Sequence, residues 1–440
     1  MIDEPPRNSP PQLVRAIGRW SMVALAINSI IGSGIFGLPS AVAGLVGRAS
    51  PLLVLIAGAA MGVIIACYAE VASQFTGTGG TYLYLQRAFG RLIGIQVGWM
   101  SLLVRLTACA ASVDLLVAYL GEFWPGATEP VARVVVISAF IGGLAVVNYR
   151  GVGGGTLMSN ATVVAKLLAL GAVCAAGVAW LSVYGLPAAP PGPTPQASAW
   201  RQALLLLFFA YGGYEAALNP MGEARNPRRD VAFALLGALL IVTVLYSTLQ
   251  LVVVGVLPDP AHSERPLADV ARTVMGRSGA MLISVGALIS VYGYVSANLL
   301  NMPRGLFALA ERGDFPRAFA AVHPRWRTPY VSIAVFAALV WIFSQFGGFT
   351  SNVTLAAFAR LFYYGAVCLA VPVLRRRQPD AAVFRIPGGG LVLPVVGVLL
   401  CAVLLSGVDF SKSLILLATI GVALLNWALV RKRAAPAVVP

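Results

Sequence analysis

Ile30-Ile31-Gly32-Ser33-Gly34-Ile35-Phe36-Gly37-Leu38-Pro39 interrupts the first long apolar stretch of this chain in its own middle. In lipid, an unpaired backbone N–H or C=O costs several kcal/mol, so a spanning helix keeps its hydrogen-bond ladder intact. Glycine at two of three successive positions favours unwinding at a depth where unwinding is expensive. Such backbone is tolerated where it lines a cavity, and broken helices at the bilayer midplane are a common way to build a carrier's binding site. A second interruption, Phe208-Phe209-Ala210-Tyr211-Gly212-Gly213-Tyr214-Glu215, falls in the sixth apolar stretch. Two broken helices five spans apart point to a membrane transporter.

Composition agrees. Of 440 residues, 59% are hydrophobic and 11% charged, whereas soluble domains carry about a quarter charged residues. Apolar runs of about twenty residues, enough to cross the hydrocarbon, recur along the whole chain. They fall near 20–46, 51–74, 92–120, 131–148, 156–183, 200–221, 231–257, 279–302, 329–346, 352–374, 391–408 and 412–430. The expectation is an all-α integral membrane protein of about twelve transmembrane helices. The longer intervening loops are 258–278 and 303–328, and Leu186 to Gln196, rich in proline, reads as a stiff connector.

The formal charge of +15 would suggest nucleic acid in a soluble protein. Here the basic residues sit between apolar runs, so they orient the chain against the cytoplasmic leaflet, and no nucleic-acid partner is expected. With the N-terminus inside, cytoplasmic segments hold Arg87, Arg91, Arg150, Arg225, Arg228, Arg229, Arg312, Arg325 and Arg375 to Arg377, among others. The opposite side holds only Arg48, Arg133, Arg201, Arg265, Arg272, Arg277 and Lys412. The asymmetry places both termini in the cytoplasm and requires an even number of spans. The run from Met22 to Val46 is longer than a signal-peptide core, so it reads as a span that is kept.

Other motifs carry little. Gly32 to Gly37 spells a dinucleotide fingerprint but lacks the strand and helix that give that motif meaning. Cys67, Cys109, Cys174, Cys368 and Cys401 have no ligand or redox spacing and read as packing residues; His262 and His323 lie in separate loops. No cofactor or metal is expected.

The chemistry is in the breaks. Where a helix unwinds, its second half begins with free N–H groups and a partial positive charge, suited to a carboxylate. Its first half ends in free carbonyls, suited to an ammonium group. Two such helices side by side offer both poles for an amino acid. Glu70, Arg105, Asp114, Lys166, Glu215 and Arg360 are the ionisable residues inside the spans, where such groups usually face the bundle interior. Lys166, set among aliphatic residues, either braces unwound carbonyls, carries a proton, or pairs with Asp114. Glu215, just past the second break, reads a substrate side chain, carries a proton, or pairs with Arg105 or Arg360. Glu70 is expected to stabilise the cytoplasmic side, and Arg105 and Arg360 to hold helices together. Phe209, Tyr211, Phe358, Phe362 and Tyr363 are candidates for an apolar pocket lining.

Taken together, Ile30 to Phe36, Tyr68-Ala69-Glu70 with Gly79 to Tyr84, Phe209 to Glu215 with Glu223 to Arg229, and Arg312-Gly313-Asp314-Phe315-Pro316 with His323-Pro324-Arg325 resemble the amino acid–polyamine–organocation superfamily of permeases. The resemblance covers most of the chain. It implies a five-plus-five inverted repeat, with spans one to five over 20–183 and six to ten over 200–374. Broken helices 1 and 6 lie at its heart, and two extra C-terminal helices occupy 391–430, between a cytoplasmic N-terminal segment 1–19 and a tail 431–440. It further implies that the substrate meets Ile30, Ile31, Gly32, Ser33 and Gly34 and, opposite them, Phe209, Ala210, Gly212 and Glu215. Phe209 would be an aromatic gate. Lys166 would stand where sodium-coupled relatives bind an ion.

The expectation is therefore a bacterial inner-membrane carrier of amino acids, neutral L-amino acids first, sodium-independent and proton-coupled, with no obligate partner subunit and no enzymatic activity. An exchanger, a permease for cationic amino acids or polyamines, and a non-transporting amino-acid sensor are the alternatives.

Overall fold

The computed structural model describes residues 17–77, 79–151, 155–186, 194–219 and 221–431, with backbone alone for 155–165. Most of the N-terminal segment 1–19, the connector over 187–193 and the tail after residue 431 lie outside the described residues.

The first apolar stretch forms two helices, α1 (Arg19–Ile30) and α2 (Gly34–Val46), separated at Ile31, Gly32 and Ser33. Ile31, with φ −73° and ψ 88°, has left the helical region, and Gly32 N–H turns back onto Ile30 O at 2.9 Å. The chain continues through α3 (Ser50–Ala72), a short α4 (Gly80–Phe89), α5 (Arg91–Leu120), α6 (Pro130–Arg150) and α7 (Gly155–Tyr184). The sixth stretch repeats the break: α8 (Ala197–Tyr211) stops at Gly212 and Gly213, and a 3-10 turn, Tyr214–Leu218, follows. Then come α9 (Pro227–Val256), α10 (Pro266–Glu311), α11 (Tyr330–Phe346), α12 (Phe349–Arg377), α13 (Val392–Leu405) and α14 (Phe410–Val430).

Among the described residues, eight helical stretches are long and apolar enough to cross a membrane, the first running Gly34–Ala72 through α2 and α3, and α11 and α13 are apolar but shorter. The broken helices α1 and α8 escape a length criterion because unwinding divides one crossing into two short pieces. Two expected loops are partly helical. Helix α10 runs 46 residues, bent at Gly276 (φ 73°), and takes in parts of both 258–278 and 303–328. Charged residues end a hydropathy run but not a helix, whose backbone is satisfied equally well in water. Helix α4 was missed for the same reason: its mixed composition carries no span signal.

Helix α5 is central, with 83% of its most apolar window buried, while α6 and α14 show 17% and α7 22%. Their outward Val131, Val135, Leu168, Leu414, Leu417 and Leu429 are exposed, as expected of residues facing acyl chains. Helix α12 packs on α5, α3 on α9, α10 on α7, and α2 on α8. A backbone bridge ties the two breaks' flanks together: Ile17 N–H donates to Glu223 O at 3.0 Å and Arg225 N–H to Ile17 O at 2.9 Å.

Candidate functional site

The two breaks touch. Gly34, at the start of α2, lies so close to α8 that a Cβ there would sit 3.2 Å from Ala210 Cα. At Gly213 a Cβ would fall 2.3 Å from Ser29 O, and φ is +106°, a region glycine reaches without steric cost. The glycines that make unwinding possible therefore also let the unwound segments press together.

Between them is a small cavity. Ile30, Gly32, Ser33, Gly34, Phe209, Ala210 and Gly212, all named from the sequence, line it. Ile31 and Glu215 are buried just outside the lining. The structure adds Ser29, Gly213, Tyr294 and Arg360. About 20 Å³ is open to the centre of a water molecule, room for roughly one water. The cavity is therefore narrow in this state.

Four backbone poles result from the two breaks, and side chains occupy three. Lys166, on α7, donates from Nζ to Ile31 O at 2.6 Å and Asn28 O at 3.2 Å, the carbonyl end of α1. Of the roles open to it, bracing is the one the geometry displays; Asp114 pairs with Arg133 at 2.5 Å instead. Arg360, on α12 and 3% exposed, donates from Nη1 to Phe209 O at 3.2 Å, near the carbonyl end of α8. It lies across Gly212 and has its guanidinium 5.6 Å from the Phe209 ring centroid, a cation–π distance. Glu215 occupies the N–H pole of the second break, accepting from Gly213 N–H at 2.9 Å. The N–H groups of Ser33, Gly34 and Ile35 have no acceptor among the described residues. This fourth pole, at the start of α2, is the open one.

Glu215 is heavily engaged. Its Oε1 lies 3.3 Å from Arg360 Nε and 3.9 Å from Arg105 Nη2, and accepts from Tyr363 OH at 3.1 Å. Tyr364 OH donates to Oε2 at 3.4 Å. Beneath it, Tyr68, Tyr214, Tyr363 and Tyr364 form a buried aromatic layer with centroids 5.2 to 5.7 Å apart. Ser33 is held from α5 by Ser112, Oγ to Oγ at 2.8 Å.

Other expected residues fall elsewhere. Glu70 accepts from Arg375 at 2.5 and 2.7 Å and from Ile386 N–H at 2.8 Å, away from the cavity. Tyr211 donates to Val54 O at 2.9 Å. Phe358 is buried beside Arg201 and Lys412 in a second, larger pocket, and Phe362 is partly exposed. Phe209 lines the cavity and Tyr363 reaches it through Glu215. Arg360 carried an intramembrane-charge signal, read as helix bracing; Tyr294 carried none.

A polar cavity built on two interrupted helices, enclosed by apolar helices, has the form of a carrier site. The whole described chain, residues 17–431, matches the family described as amino acid permease. The chain belongs to the amino acid permease family. It is a multi-pass membrane protein of amino acid transport. The permease is similar to an uncharacterized transporter of Mycobacterium tuberculosis, 28% identical over 424 residues, covering 92% of this chain and 89% of the relative. It is also similar to the serine/threonine exchanger SteT of Bacillus subtilis, 28% identical over 374 residues, covering 83% and 84%. The branched-chain amino acid permease BcaP of the same organism is 26% identical over 413 residues, covering 89% and 88%.

Proposed function

We propose that this permease is a secondary transporter carrying amino acids across the bacterial inner membrane by alternating access around the cavity between α1/α2 and α8. The carrying observation is the pair of breaks in contact, with an unoccupied N–H pole at Ser33 to Ile35 facing that cavity. The substrate's α-carboxylate is assigned to it. Its ammonium is assigned to Ile30 O and Ala210 O, carbonyls of two cavity-lining residues that each receive a hydroxyl contact of 3.4 Å from Tyr246. Phe209 is the proposed gate.

The same reading takes twelve crossings, both termini cytoplasmic, and two inverted five-helix repeats. Mirrored packing supports the repeat. The contact of α5 with α12 is matched by α10 with α7, that of α12 with α3 by α7 with α9, and that of α1 with α9 by α8 with α3.

Sodium independence rests on Lys166. Its ammonium takes Asn28 O and Ile31 O, oxygens of the kind a hard cation would need several of at once. Proton coupling is assigned to the same residue. Exchange is the second reading, favoured by the relative named as an exchanger. The cationic-substrate alternative loses its support, because Glu215 is already engaged by Arg360 and Arg105.

The test is uptake of a labelled amino-acid panel into proteoliposomes, sodium absent, with and without an inward proton gradient. Gradient-enhanced uptake supports symport, and uptake only from preloaded vesicles supports exchange. Saturable binding with no flux under either condition would make the protein a sensor and overturn the proposal.

A further inference from the structure

One guanidinium, Arg360, lines the cavity, and a second, Arg105, lies behind it on the same carboxylate, more positive charge than a neutral amino acid needs. Arg105 and Arg360 both point at Glu215, and among the described residues this one carboxylate is the ion-pair partner of both guanidiniums. Lys166 adds a third cation nearby, spent on backbone carbonyls. Burying an uncompensated guanidinium is expensive, and each guanidinium has five donors to place. Arg360 places Nη1 on Phe209 O, while its Nε, buried, has the 3.3 Å ion pair but no hydrogen-bond acceptor.

Position matters as much as count. Arg360 lines the cavity, and so do Ser33 and Gly34 at the open start of α2. Two anion-binding poles of different origin thus border one small space: backbone N–H groups on one wall, a fork of guanidinium donors on the other. A ligand with a single carboxylate satisfies one. We propose that the substrate is an acidic amino acid, its α-carboxylate on the N–H groups of α2 and its side-chain carboxylate on Arg360 and Arg105. This rests on the reading of the cavity as a transport site. It revises the neutral preference expected from a pocket of backbone and apolar groups.

Glu215 then has a definite part. In this narrow cavity its carboxylate holds the guanidiniums that the substrate's second carboxylate shares or takes over. Arg105, at 3.9 Å the looser partner and 14% exposed at its side chain, is the one freer to turn toward a ligand. A cationic substrate would place a third positive group against these two, so arginine and polyamines are disfavoured.

The experiment is uptake by the full chain in proteoliposomes of labelled glutamate, aspartate, serine, leucine and arginine, with unlabelled amino acids as competitors. Glutamate or aspartate should be taken up at least tenfold faster than the others. In Arg105→Gln, and independently in Arg360→Lys, which keeps the charge but loses the fork, the ratio of acidic to neutral uptake should fall at least tenfold. Loss of folded protein scales both rates together and leaves that ratio unchanged. Wild-type uptake of serine or leucine with no acidic uptake or competition would overturn the substrate class while leaving the transport reading intact. An unchanged ratio in both variants would overturn the roles given to the arginines. Uptake of no amino acid by monodisperse, reconstituted protein would overturn the transport reading, and this inference with it.

Discussion

Lys166 and Arg360 perform the same task at opposite breaks: each is a buried cation from a neighbouring helix that donates to carbonyls at the end of a broken helix. Lys166 Nζ serves Asn28 and Ile31 at the end of α1, and Arg360 Nη1 serves Phe209 at the end of α8. In the proposed repeat, α7 and α12 are each the fifth span of their half, so the two residues sit on helices that the repeat pairs. The negative end of a helix dipole favours a cation, and inside a bilayer no water is at hand to do that work. Their anionic complement is not symmetric. Glu215 fills the N–H pole of the second break, and the first is left for a ligand.

Replacing Lys166 with Ala should abolish pH-dependent uptake while leaving an inserted protein. The variant strands two buried carbonyls, at about 1–3 kcal/mol for each unsatisfied group, so a lower Tm in detergent is expected as well. Uptake with and without an imposed proton gradient checks it. Unchanged gradient dependence would remove Lys166 from the coupling step.

Gly213→Ala should be among the most damaging single-methyl changes in the chain. It demands a positive φ of 106° and pushes a methyl to 2.3 Å from Ser29 O, a backbone atom with little room to yield. Backbone strain of that kind costs about 1–3 kcal/mol before the clash is counted. Gly142→Ala, on exposed α6 with nothing within 4 Å of the added Cβ, is the control; there, stability should hold or rise by up to about 1 kcal/mol. Thermal unfolding of the two purified variants separates them.

Glu70→Ala should destabilise the fold without changing substrate preference. Glu70 is fully buried, accepts two hydrogen bonds from Arg375 and a third from Ile386 N–H, and joins α3 to α12 and the chain beyond it. Removing one partner of a buried pair costs about 3–5 kcal/mol. The expected result is a marked fall in Tm with the same ranking of competitors in whatever uptake remains.

Orientation is open to direct labelling. Lys412→Cys, in the first turn of α14, should react with a membrane-impermeant maleimide in intact cells, whereas Arg325→Cys, after α10, should react only once the membrane is opened. The native thiols Cys67, Cys109, Cys368 and Cys401 are buried and Cys174 is partly so, which keeps the background low. The reverse pattern would invert the topology, and labelling of both in intact cells would rule out three crossings, α11, α12 and α13, between them.

The breaks and most of the long apolar helices were readable along the chain because each is a local property. Whether Gly32-Ser33-Gly34 unwinds depends on its own φ/ψ freedom and on the lack of water to rescue it, and hydropathy over twenty residues depends on those residues alone. Seven of the nine substrate-site residues taken from the breaks line the cavity for that reason. Partnership between charges was a different matter. Six ionisable residues stood inside apolar stretches; pairing of Glu215 with Arg105 or Arg360 was one of several open readings, and nothing along the sequence chose it or said that Asp114 would meet Arg133. Those pairings follow from which helix faces which, and from rotations of a third of a turn that carry a side chain from lipid to cavity. Composition therefore determined that the chain is a helical membrane carrier with two interrupted spans. Tertiary packing alone decided that Arg360 borders the cavity and that Glu215 is shared between two guanidiniums, because a charge acquires its meaning in a membrane only from the neighbour that neutralises it.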